Sequence, residues 1–109
     1  MKQNLQNFLI IPIIFFIALS QDSLNTENIQ SKAEMYYSRG DYNNAIILYE
    51  DLLADQELTY GIQSIRVAES LSKLGELYLF IGIPDISEYY FQQAITIYEL
   101  FFKSEINAL

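Results

Sequence analysis

The sequence predicts an all-α fold: four helices arranged as two antiparallel helix-turn-helix hairpins. Three observations predict it. Beyond residue 26, apolar residues recur at three- and four-residue spacings, the mark of helices with one buried face. Gly40 and Gly82 each close the first stripe of a pair, where a helix must stop and turn. Seven residues also recur in type at a single offset. Ile29, Ala33, Tyr36, Gly40, Ala45, Tyr49 and Leu52 are matched 42 residues later by Leu71, Gly75, Tyr78, Gly82, Ser87, Phe91 and Ala94. Such self-similarity is the signature of a repeat architecture.

The first segment stands apart from the repeats. Residues 1–20 carry Lys2 at the start, then an apolar run from Phe8 to Leu19, then Ala18-Leu19-Ser20 with small residues at the spacing signal peptidase accepts. The run is short against the roughly 20 residues needed to span a bilayer, and Pro12 interrupts it. The expectation is a signal-peptide helix cleaved between Ser20 and Gln21, leaving a protein exported to the periplasm or secreted. A polar tether, 21–25, follows, and then a helical domain, 26–109, with repeats at about 26–59 and 62–103.

Ile29, Ala33 and Tyr36 define one face of the first helix, and Gly40 ends it. Asp41 suits the N-cap of the second helix. Its stripe runs through Tyr42, Ala45, Ile46, Tyr49, Leu52 and Leu53. A polar link is expected from Asp55 to Gly61. The third helix carries Ile65, Ala68, Leu71, Gly75, Tyr78 and Leu79 on one face and stops at Gly82. Pro84 fits the first turn of the fourth, whose stripe is Ile86, Tyr90, Phe91, Ala94, Ile97, Tyr98 and Phe101. Ala33 and Ala45, and Gly75 and Ser87 after them, are small enough for paired backbones to approach closely. Tyr36 and Tyr49, and then Phe91, fill the space beside them.

Composition excludes several chemistries. The chain has 109 residues, 51% hydrophobic, enough for one small packed domain. It has no Cys and no His, so thiol nucleophiles, disulfides, imidazole bases and the commonest metal ligands are missing. Fourteen acidic residues oppose six basic ones, a net charge of -8. Removing Lys2 with the leader leaves -9. Such a balance argues against nucleic acid and anionic membrane surfaces. Glu50, Asp51, Asp55 and Glu57 are the densest acidic cluster, but they lack calcium-loop spacing and read as a solvated helix end. The four glycines are scattered and build no phosphate-cradling loop. No enzyme activity, cofactor or metal is expected.

The segment "AEMYYSRGDYNNAIILYEDLL" resembles a tetratricopeptide repeat, with its small residue, Tyr, Gly-Asp-Tyr turn, Ala and aromatic in order. "LSKLGELYLFIGIPDISEYYFQQAITIYE" resembles the next copy, with Ile83-Pro84 in place of Asp-Tyr and Ser87 in place of Ala. The 42-residue period is similar to that of the kinesin-light-chain-like subgroup. The resemblance implies a short right-handed α-solenoid and accounts for Arg39-Gly40-Asp41 as an inter-helix turn rather than an adhesive RGD loop. It also implies that the first helix of each pair lines a concave groove. Glu27, Gln30, Glu34 and Tyr37 would face that groove from the first unit, and Glu69, Ser72, Glu76 and Phe80 from the second.

The partner-binding candidates are therefore Glu34, Tyr37, Glu69, Glu76 and Phe80, in an acidic groove with aromatic patches. The Lys and Asn of the family's clamp for acidic tails are not present at these positions. The expected function is an exported, non-catalytic protein-protein interaction module whose protein or peptide partner is basic or basic-apolar. The alternative is the N-terminal adaptor part of a larger exported enzyme or sensor. The last helix carries Tyr98, Leu100, Phe101 and Phe102, then Ile106 and Leu109, more than one face can hide. Self-association through this helix is a further expectation.

Overall fold

A computed structural model describes residues 12–14, 16–17 and 28–109. Most of the leader, the tether and Glu27 lie outside the described residues. Residues 12–14 and 16–17 are helical, and no helix among the described residues is long and apolar enough to cross a membrane. Four helices follow: α1 over residues 28–38, α2 Tyr42–Tyr60, α3 Ile65–Phe80 and α4 Pro84–Ala108. No strand occurs among the described residues.

The two hairpin turns are the same structure built from different residues. After α1, the Asp41 N–H donates to Tyr36 O at 3.0 Å and the Gly40 N–H to Tyr37 O at 3.1 Å. After α3, the Ile83 N–H donates to Tyr78 O at 2.9 Å and the Gly82 N–H to Leu79 O at 3.1 Å. Both are Schellman motifs, which need a left-handed residue at the glycine. Gly40 and Gly82 supply it with φ of 76° and 83°. Main-chain groups make these bonds, so replacing Asp-Tyr by Ile-Pro leaves the turn intact. Pro84 sits where a helix has no use for an N–H. What is lost is the cap. The Asp41 carboxylate accepts from Asn44 N at 3.5 Å and from Asn44 Nδ2 at 2.7 Å, whereas Ile83 caps nothing with its side chain. The Asp41 carboxylate of the RGD tripeptide is thus committed to the start of α2.

The core forms where small residues meet. Ala33 of α1 and Ala45 of α2 are fully buried, with Ile46, Tyr49, Leu52, Leu74 and Leu77 around them. Tyr36 packs half-buried at the edge. A second cluster joins Val67, Ala68 and Leu71 of α3 to Ala94 and Ile97 of α4. Between these helices Gly75 lies so close to the Phe91 ring that an added Cβ would stand 2.8 Å from it. Ser87 Oγ donates to Gly75 O at 2.7 Å, so a hydroxyl, where the first unit has the Ala45 methyl, bonds the facing backbone.

Two expectations change. Asp55 to Gly61 is not a polar link: α2 runs on to Tyr60 and Gly61 turns out of it with φ of 87°. Residues 54–60 contain no Gly or Pro, so nothing stops the helix earlier. The true link is short, and Ser64 caps α3 by accepting from Val67 N at 3.2 Å. The apolar stripes of α3 and α4 also do not stay buried throughout. Leu79, Ile86 and Phe101 are exposed. For Phe101 the reason is length. α4 has 25 residues and packs against an α3 of 16, so its last turns, 101–109, outrun their neighbour and are exposed at every residue.

Candidate partner-binding groove

The first helices of the two hairpins, α1 and α3, form the walls of a groove of about 790 Å³, and α2 forms its floor. From α1 come Gln30 and Glu34. From α3 come Arg66, Glu69, Ser70, Ser72 and Lys73. The floor is Tyr49, Leu52 and Gln56, successive turns of one face of α2. Tyr98 of α4 closes one side.

The five candidate residues divide into two neighbouring groups. Glu34 and Glu69 line the groove itself. Tyr37, Glu76 and Phe80 belong to a cluster beside it. The Tyr37 hydroxyl donates to Glu76 Oε2 at 2.9 Å, and this bond is the first cause of a raised Tyr37 pKa. Lys73 Nζ reaches the same oxygen at 3.2 Å and stands 4.7 Å above the Tyr37 ring. Tyr37, Tyr42 and Phe80 make a triad of rings with centroids 5.1–6.4 Å apart. Lys73 joins the groups, because it also lines the groove.

Lys73 and Arg66 are the groove residues that the spacing argument missed. The signal was available: both lie within the third helix at positions flanking Glu69. Their presence corrects the picture of a uniformly acidic groove, since two cations face two carboxylates in the lining. The charges differ in how they are engaged. Lys73 is paired with Glu76. Arg66 sits 4.8 Å over the Tyr60 ring and donates to its hydroxyl at 3.3 Å. Glu34 accepts only from the neutral Gln30 amide, at 3.0 Å, and Glu69 has no ion pair among the described residues. The uncompensated charge in the groove is therefore negative.

The floor is polar and buried. Tyr49 is 3% exposed and Gln56 4%. Burial, and then the Glu34 charge, push the Tyr49 phenol up to about 12, so it remains a hydrogen-bond donor at any physiological pH. Gln56 Oε1 accepts from buried Ser70 Oγ at 2.6 Å, which ties α2 to α3 under the groove. On the far side of α2, Tyr78 donates to Glu50 at 2.9 Å and stacks on Tyr90 with centroids 5.5 Å apart. Glu50 is thus a brace between repeats rather than a free member of an acidic cluster. Among the described residues no group of His, Cys, Asp or Glu is placed to hold a metal ion.

Comparison with known sequences follows the same lines. A family profile described as tetratricopeptide repeat matches residues 22–99. Searches of the curated proteins and of the solved structures return no match. The profile spans both hairpins and most of the sequence, and the chain belongs to the tetratricopeptide repeat family.

Proposed function

We propose that this protein is an exported, non-catalytic interaction module that docks a protein or peptide partner in the groove between α1 and α3. Repeats of this family generally mediate protein–protein interactions. The observation that carries the reading is the groove, where the two cations are engaged within the chain while Glu34 and Glu69 are not neutralised. That imbalance favours a basic or basic-apolar segment, and the Tyr37–Tyr42–Phe80 cluster beside it offers apolar contact. The leader-like residues 1–20 support export, and the 42-residue period places the chain with long-period, kinesin-light-chain-like repeats.

The chain, immobilised, should retain a set of proteins at low salt and release them as salt rises, because exposed charge pairs are screened over about 8 Å at physiological ionic strength. Glu34→Lys combined with Glu69→Lys should lose that set while melting as the wild type does. Glu76 is left alone because it holds Tyr37 and Lys73. Retention that is insensitive to both salt and the double variant contradicts the reading. Export has its own check: the exported protein should begin at Gln21, and recovery of intact Met1 only from the cytoplasm contradicts it.

A further inference from the structure

Two donors on the groove floor have no acceptor. Among the described residues neither the Tyr49 hydroxyl nor the Gln56 amide N–H donates a hydrogen bond, although both side chains are more than nine-tenths buried. No buried side-chain nitrogen or oxygen is left without a partner. Both groups must therefore reach the solvent, and the groove they line is where they do so. A buried donor without an acceptor is costly, so native folds rarely keep one without a use.

Their spacing identifies what they would hold. Seven residues separate Tyr49 from Gln56, two turns on the same face of α2, or about 10.5 Å along its axis. A β-strand presents carbonyls to one side every second residue, at about 6.6 Å or 13 Å, and misses this interval. A polyproline II helix has three residues per turn and rises about 9.3 Å over them, presenting carbonyls to one side at nearly this interval. It also makes no internal hydrogen bonds, so those carbonyls are free. Leu52 lies between the two donors and offers an apolar seat for the intervening residue.

We propose that the groove binds a peptide segment in the polyproline II conformation. Tyr49 and Gln56 donate to main-chain carbonyls three residues apart, and a Lys or Arg of the segment lies between Glu34 and Glu69. This rests on the docking role proposed above and adds the conformation of the ligand and the two residues that read it.

The test titrates the whole chain with two blocked octapeptides of equal charge, Pro-Pro-Lys-Pro-Pro-Lys-Pro-Pro and Gly-Ser-Lys-Gly-Ser-Lys-Gly-Ser. The proline peptide should bind about fivefold to tenfold tighter, because its conformation is already set. Tyr49→Phe should weaken the proline peptide about tenfold, the size of one lost hydrogen bond, and leave the melting temperature unchanged or higher. Gln56→Leu paired with Ser70→Ala should do the same, since both partners of the buried bond become apolar together. Equal affinity for the two peptides, or no saturable binding of either, overturns the proposal. So does a Tyr49→Phe variant that melts about 4 °C or more below the wild type, which would make the hydroxyl a structural group. If both peptides bind equally and Glu34→Lys with Glu69→Lys abolishes both, charge docking stands and the polyproline reading falls. If that double variant leaves binding unchanged, docking in the groove falls as well.

Discussion

At Gly75 a hydrogen atom stands where a methyl group would lie 2.8 Å from the Phe91 ring. Alanine is the better helix former by about 1 kcal/mol. Overpacking a closed contact costs about 1–3 kcal/mol, and the Ser87–Gly75 bond holds the two helices at this separation. The contact wins, and Gly75→Ala should destabilise the protein by about 1 kcal/mol, lowering its melting temperature by about 4–8 °C for a domain of this size. A variant as stable as the wild type would contradict the close packing of α3 on α4. The position was legible in the sequence because Gly75 recurs 42 residues after Ala33, and Phe91 after Tyr49. The tyrosines give a second prediction at this scale. Burial is the main cause that raises both Tyr49 and Tyr78 to about 12, with Glu34 and Glu50 respectively adding to it. An unfolded phenol titrates near 10. The stabilisation is whole below pH 10 and is lost as pH rises from 10 through about 12, because the unfolded chain releases protons that the folded one keeps. Phenolate absorbance should show these residues titrating last, and the urea midpoint should fall across the same window. All nine tyrosines titrating together near 10, with stability flat, would contradict it.

Helix stops were easy to read where a glycine marked them and hard where only polarity did. Gly40 and Gly82 gave both turns correctly, and the hydrogen bonds confirm that these turns are identical although their flanking residues differ. The Asp55–Gly61 link was misread because an acidic, polar run looks like a loop. A helix with only one buried face carries such a run without difficulty, and Gln56 within it turned out to be buried. The outer half of α4 was misread for another reason: periodicity shows which residues share a face, not whether a neighbouring helix is long enough to cover it. The pairing of α1 with α2 is tested by two substitutions whose magnitudes differ. Ala45 is fully buried against α1, so Ala45→Leu should cost about 1–3 kcal/mol by overpacking. Asp41 makes a long main-chain cap bond, so Asp41→Ala should cost about 0.5 kcal/mol, the low end for lost caps. Thermal melts should rank them in that order, and the reverse order would contradict the packing of this hairpin.

Two surfaces remain for partners on the molecule as a whole, and they differ in chemistry. The outer face of α4 exposes Ile95, Phe102, Ile106 and Leu109, with Phe102 62% accessible, and apolar faces of this kind are a liability unless covered. Self-association through α4 would cover it. Sedimentation should show concentration-dependent association that Phe102→Glu abolishes, and a monomer at all concentrations would contradict this. The groove between α1 and α3 is polar and carries negative charge that no cation of the chain neutralises. Of its parts, the wall carboxylates Glu34 and Glu69 were legible from helical spacing. The floor was not, because Tyr49 and Gln56 belong to the second helix of the pair, where spacing assigned Tyr49 to the core and Gln56 to a loop. Amide chemical-shift mapping of the whole chain with the lysine-bearing proline octapeptide tests the central claim most directly. The shifts should gather at Gln30, Glu34, Tyr49, Gln56, Glu69 and Lys73 and fade as salt rises. Shifts confined to Ile95, Phe102 and Ile106 on α4, or spread without a centre, would show that the groove is not the binding surface.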